Sequence, residues 1–196
     1  MTARSFLYTL IITGAVAVMI SLGVWQWQRA EWKTALLAEL QAAPSLPPVD
    51  LDRPLAPGAP ISFRRARVTC AASDARPQQR QGYNLRGESG FVFLVPCRRD
   101  AEGLAGRLQV VVGWSRNPMA AERLSVAGPL TGQLGLVQEQ GPVVFTSDAA
   151  LPPLERASGP DPDEIPNNHL SYAFQWFFFA AAAVAIALIA AFGRKR

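Results

Sequence analysis

His169 is the only histidine of the 196-residue chain, and it stands where an imidazole can do chemistry. It lies in Pro166-Asn167-Asn168-His169-Leu170-Ser171-Tyr172-Ala173-Phe174-Gln175-Trp176-Phe177-Phe178-Phe179, at the mouth of an apolar helix, with Tyr172 one helical turn beyond it and Trp176 two. A neutral imidazole is among the few side chains that ligate a metal or haem iron at a membrane boundary, and an ionisable group there is costly enough to imply a use. The plainer alternative is a polar side chain resting in the headgroup region.

Other chemistry is sparse. One histidine allows no histidine cluster, no Ser-His-Asp arrangement is supported, and no phosphate-binding glycine loop or nucleophile elbow occurs, which argues against an enzyme. Cys70 and Cys97 are too far apart for the close pair typical of copper or zinc carriers. In an oxidising compartment they would close a disulfide loop of about 27 residues; otherwise each is a small buried hydrophobe.

The elements that must position these residues begin and end in membrane. Phe6 to Trp25 is an uncharged run of about 20 residues, and Tyr172 to Phe192 another of about 21, within a second span over 170–192. At 1.5 Å rise per residue each reaches roughly 30 Å, the thickness of the hydrocarbon core. The first run is too long for a signal-peptide core despite Ala15-Val16-Ala17, and reads as an uncleaved anchor. The few residues before it leave no room for an organelle-targeting presequence, so a bacterial inner membrane is expected.

The net charge of +4 would suit nucleic acid, but Arg4, Arg194, Lys195 and Arg196 account for all of it, and the other 15 Lys and Arg balance 15 Asp and Glu. Basic residues beside both ends follow the positive-inside pattern, so both termini are expected in the cytoplasm, the middle segment in the periplasm, and no nucleic acid as partner.

Between the spans, Gln26 to Leu40 lacks Gly and Pro and predicts a helical extension over 26–43. Six prolines from Pro44 to Pro60 predict an extended linker over 44–60. Over 61–150 short β-type runs alternate with Gly, Pro and Asn: Ile61 to Cys70, Gly90 to Cys97, Leu108 to Trp114, Ser125 to Gln138 and Val143 to Thr146. These predict a small, mainly antiparallel sheet or partly closed barrel, with Val110-Val111-Val112 most buried and a short helical excursion from Asn117 to Leu124. Pro152 to Pro166, with five prolines and four acids, predicts a flexible acidic linker over 151–168. The expected fold is thus two transmembrane helices flanking a small, mainly antiparallel β domain.

Leu22-Gly23-Val24-Trp25-Gln26-Trp27-Gln28-Arg29 with Trp32-Lys33, the strand Gly90 to Pro96, and Asn167-Asn168-His169-Leu170 with Tyr172 and Gln175-Trp176-Phe177 together resemble the signatures of the surfeit locus protein 1 (Shy-type) family of cytochrome c oxidase assembly factors. One departure stands out: the family's Arg-Gly-Trp is here Val112-Gly113-Trp114, with Arg116 close enough to stand in. The resemblance implies a non-enzymatic helper of haem-copper oxidase assembly. Such a helper would act on haem a as it passes into the catalytic subunit, with that subunit and haem a synthase as partners and the lipid bilayer around it.

His169 would then be the iron ligand, with Tyr172, Ala173, Trp176 and Phe177 on its helix face to cover the macrocycle. Ala180 and Ala183 would admit another helix at close range. Trp25, Arg29 and Trp32 share a face just outside the membrane, where Arg29 or Lys33 could pair with haem propionates; an interfacial Trp belt with snorkelling bases explains the same residues. Two other functions remain: a tether that holds oxidase subunits without binding haem, and a membrane enzyme of haem or quinone metabolism, which the missing acid-base groups disfavour.

Overall fold

The computed structural model describes residues 3–56, 58–98, 107–138 and 140–193, so the basic cluster Arg194 to Arg196 lies outside the described residues. The chain divides into a helical unit, Met1–Ala38 with Ile165–Arg196, and a β unit, Glu39–Glu164.

Helix α1 runs unbroken from Ala3 to Ala42, and α2 from His169 to Gly193. Both are long and apolar enough to cross a membrane. α1 stops because Pro44 lacks an amide proton and disfavours helical geometry before it, so Ala43–Ser45 tightens into a single 3-10 turn. α2 starts just past Pro166-Asn167-Asn168, its opening hydrogen bond running from the Tyr172 amide to the Asn168 carbonyl.

In the β unit seven strands form one sheet: β1 (Val49–Asp50), β2 (Arg65–Ala75), β3 (Gln78–Tyr83), β4 (Ser89–Pro96), β5 (Leu108–Ser115), β6 (Leu124–Leu134) and β7 (Val143–Ser147). Their order is β1-β2-β6-β7-β5-β4-β3. The sheet is mixed: β1 runs parallel to β2 and β7 parallel to β5, and the other four pairings are antiparallel. Strand alternation, with one extra β5 residue at Val112 where the β4–β5 register shifts, separates the two faces of its centre. Phe93, Val95, Val110 and Val112 point into the main core, while Leu94, Val111 and Trp114 pack with Ala157 on the other face. Fully buried side chains such as Phe93 and Phe145 each contribute about 1.5–3 kcal/mol.

The sheet curls until β2 meets β4, four places away in the strand order. The Ala71 amide donates to the Arg98 carbonyl at 2.8 Å. Beside that bridge Cys70 and Cys97, both buried, form a disulfide with a Cα–Cα distance of 5.2 Å. The result is a partly closed barrel, pinned covalently where its two sides touch.

Several local expectations differ from the structure. Where a helical excursion from Asn117 to Leu124 was expected, 117–123 is a series of turns and bends with no helix and Leu124 already begins β6, because Pro118 and the Asn117 side-chain bond to the Met119 amide favour a turn. β3 was not expected: Gln78-Gln79-Arg80-Gln81 has no apolar alternation, since this edge strand is exposed on both faces. β1 lies inside the Pro-rich 44–60 stretch, where Leu51 is buried in the core. The acidic stretch from Pro152 is held on the sheet in its first half. Leu151 donates to the Val112 carbonyl, Trp114 and Glu155 exchange both backbone bonds, and Leu154 and Ala157 are buried. Gly113, with φ at +153°, permits this approach, because a Cβ there would lie 2.6 Å from that of Leu154.

Candidate functional site

The site is built in the helical unit, where α1 and α2 run antiparallel. Lys33 Nζ donates to the Pro166 carbonyl at 2.6 Å, and Asn167 Nδ2 donates to Thr34 Oγ1 at 3.3 Å. Further along, Phe177 packs so closely on Gly23 that a Cβ would lie 2.5 Å from its ring. Ala173 and Ala180 are buried, as small residues must be where helix backbones approach. Still deeper, Val16, Ile20, Ala180, Val184 and Leu188 line an open apolar groove of about 570 Å³.

His169 is the first residue of α2 and is half-buried. Its Nδ1 lies 2.8 Å from Oε1 of Gln26, a residue 143 positions earlier in the chain. Two polar side chains on apolar helices thereby satisfy each other, which is the arrangement the low-water environment of a membrane boundary demands. Gln26 is the residue that sequence reading missed as part of the site. The available signal was its place in the Trp-Gln-Trp-Gln run, an uncharged polar side chain at the end of a span.

Around this pair the expected residues separate into two groups. Trp27 and Phe174 meet edge to face along one side of the helix seam, ring centroids 6.1 Å apart. At about 100° per residue, Trp25 lies about 200° and Arg29 about 120° around α1 from Gly23, so Trp25 faces away from the seam and Arg29 turns toward the flank that Tyr172 and Trp176 border on α2. The register that sets Gly23 against Phe177 and Trp27 against Phe174 puts Trp25 level with Trp176 and Arg29 level with Tyr172. His169 sits between these levels and the helix ends. Trp25 and Tyr172 are about half exposed, at 54% and 49%, and Trp176 is half-buried.

The basic residues take distinct roles. The Arg29 guanidinium lies 4.0 Å over the Trp32 ring, a cation–π contact. Lys33 donates to the Pro166 carbonyl and so clamps the helix pair. Ala173 and Phe177, expected to cover a ligand, instead fill the seam against α1.

The flank beside the pair offers one imidazole with Nε2 not used by Gln26, the two aromatic side chains of Tyr172 and Trp176, and the Arg29 guanidinium at its rim. Among the described residues no group of three or more His, Cys, Asp or Glu side chains could hold a bare metal ion. A macrocycle that brings its own donors to the metal would need only one nitrogen from the protein, which His169 would supply.

Arg116, expected as a stand-in for the family's strand arginine, lies in the β unit. The position of that arginine is Val112, 2% exposed in the core, whereas Arg116 lies beyond the end of β5 and donates to Glu88 Oε1 at 2.8 Å. Glu88 also accepts from Arg86 and Asn84, and these bonds, led by Arg86, hold its carboxyl below the usual range.

Fold and site together define a two-span membrane protein, in which a helix hairpin presents one imidazole and a separate, partly closed β domain fills the long connection. The sequence matches the SURF1 family over residues 13–181, most of its length, and the protein belongs to that family. The family is associated with cytochrome oxidase assembly, its members serving as assembly factors and not as catalysts. Comparison with curated proteins returned no significant match.

Proposed function

We propose that this protein assists assembly of haem-copper cytochrome c oxidase by binding haem a at the periplasmic side of the membrane and helping it into the catalytic subunit. The observation that carries the reading is His169: an imidazole at the mouth of a membrane helix, bonded to Gln26 across the seam, beside Tyr172 and Trp176 of its own helix and with Arg29 at the rim. When bound, haem a would supply an iron centre and two propionates. The chain's part would be to offer His169 to the iron, to cover the ring with Tyr172 and Trp176, and to meet a propionate with Arg29, with Trp25 as a further aromatic at the membrane boundary. Haem a synthase as donor and the catalytic subunit as acceptor are the partners this implies.

The membrane in this reading is a bacterial inner membrane, with both termini in the cytoplasm and the β domain in the periplasm. Support comes from the basic residues in the two short tails and from the disulfide, which an oxidising compartment favours.

His169→Ala tests the proposal. The substitution removes one seam hydrogen bond, a loss of about 1 kcal/mol, and no apolar surface of the spans, so the protein should insert and accumulate. It should co-purify with little or no haem a, and oxidase made beside it should lack haem while its subunits are still synthesised. Tyr172→Ala or Trp176→Ala should weaken retention less, since they supply packing. Wild-type haem content and spectrum in His169→Ala would refute the ligand role and favour a tether that holds oxidase subunits without haem.

A further inference from the structure

The hydrogen bond between the two spans does more than satisfy two polar groups. An imidazole can ligate iron only through a nitrogen that carries a lone pair, and a neutral ring has one such nitrogen and one N–H. A carbonyl oxygen can only accept. With Gln26 Oε1 at 2.8 Å from Nδ1, the proton belongs on Nδ1 and the lone pair on Nε2, at the far side of the ring from the seam. In water the opposite, Nε2-protonated form is the more populated, so the preference must be imposed. We infer that Gln26 is a positioning residue that fixes His169 in the Nδ1–H tautomer and aims Nε2 as the axial donor, so that one span prepares the ligand carried by the other. The inference rests on the haem-ligand reading of His169 for its purpose, though not for its geometry.

Three features make Gln26 suited to this task. A glutamine side chain carries no charge, so it can serve at the end of an apolar span without the cost of a buried carboxylate. The helix under it is locked about one turn away by Gly23 against Phe177, and about two turns the other way by Lys33 and Thr34 against the Pro166-Asn167 lead-in. And the ring it holds begins a helix whose backbone cannot shift without breaking those contacts. Metal-ligating histidines elsewhere are commonly oriented by an acceptor on the second nitrogen, and loss of that acceptor lowers affinity about 10–100-fold.

Because His169 is the only histidine, protein labelled with nitrogen-15 histidine and carrying a histidine-free affinity tag gives one imidazole spectrum. The measurement is made on the full chain without haem, in detergent micelles at about pH 8.5, above the ordinary imidazole range. Wild type should show Nδ1 protonated and Nε2 bare. Gln26→Leu should shift the ring toward the Nε2–H form, and Gln26→Glu, whose carboxylate still accepts, should keep Nδ1–H. In a parallel haem a titration, Gln26→Leu should bind about 10–100-fold more weakly than wild type and Gln26→Glu should recover most of the loss. An Nε2–H ring in wild type, or an unchanged tautomer in Gln26→Leu, overturns the inference. Should Gln26→Leu fail to fold, the wild-type and Gln26→Glu spectra decide alone. A wild-type protein with the Nδ1–H ring but no haem affinity would refute the haem reading and leave the tautomer assignment standing.

Discussion

Gly23→Ala sets two effects against each other. Alanine is the better helix former by about 1 kcal/mol, so local propensity alone predicts a gain. The added Cβ, however, would lie 2.5, 2.8 and 2.9 Å from three ring carbons of Phe177, where carbon atoms rest at roughly 3.5–4.0 Å. Relief requires the ring or the helix to move by about 1 Å. Overpacking of this kind costs about 1–3 kcal/mol, so the net expectation is a loss of about 1 kcal/mol. The displacement also reaches the site. If the helices separate by about 1 Å, the 2.8 Å contact between Gln26 and His169 stretches past hydrogen-bonding range. Unfolding in mixed micelles with increasing denaturing detergent, followed by tryptophan fluorescence, should show Gly23→Ala less stable than wild type. Phe177→Leu should restore stability in the Gly23→Ala background, giving a double-mutant coupling of about 1–2 kcal/mol. A Gly23→Ala protein as stable as wild type or more so, with no coupling to Phe177→Leu, would refute the packing argument and with it the seam that positions His169.

Thiol labelling of the unreduced, denatured protein should detect no free cysteine, and reduction should expose both Cys70 and Cys97. Replacing both by alanine opens a loop whose ends are 27 residues apart and should cost about 3.5 kcal/mol, read as a lower denaturant midpoint for the β signal; an unchanged midpoint would show that the barrel closes without the link. Asp148 takes a bidentate bond from Arg65, which holds its carboxyl below the usual range chiefly by that hydrogen bond, with burial opposing. A depressed folded-state value means the stabilisation is present above the unfolded value of about 3.9 and is lost as pH falls through the lower folded one. Both side chains are about a third exposed, so the effect is under about 1 kcal/mol, and Asp148→Asn should make the fall in stability below about pH 4 shallower while leaving the shape of the curve above it unchanged. Reporters that fluoresce only in the cytoplasm should glow when fused at the carboxy terminus and stay dark near Gly103, which lies outside the described residues; the reverse pattern would overturn the proposed orientation.

What the sequence determined by itself follows from lengths and residue types. Two uncharged runs match the hydrocarbon thickness, so the spans follow from a rise of 1.5 Å per residue. Val110-Val111-Val112 marks a strand buried on both faces, and the Leu22 to Arg29 and Asn167 to Phe177 motifs carry the family. Tertiary structure decided what depends on a partner distant in the chain. β3 pairs through its backbone and has no apolar pattern to display; the 151–157 segment becomes a cover only because β5 offers free backbone groups and a glycine at 113; Cys70 reaches Cys97 only because the sheet curls. The same holds at the site. His169 announces an imidazole at a membrane edge, but that Gln26 meets its Nδ1 while Lys33 is taken by Pro166 is set by the register of two antiparallel helices, which no periodicity within either helix encodes.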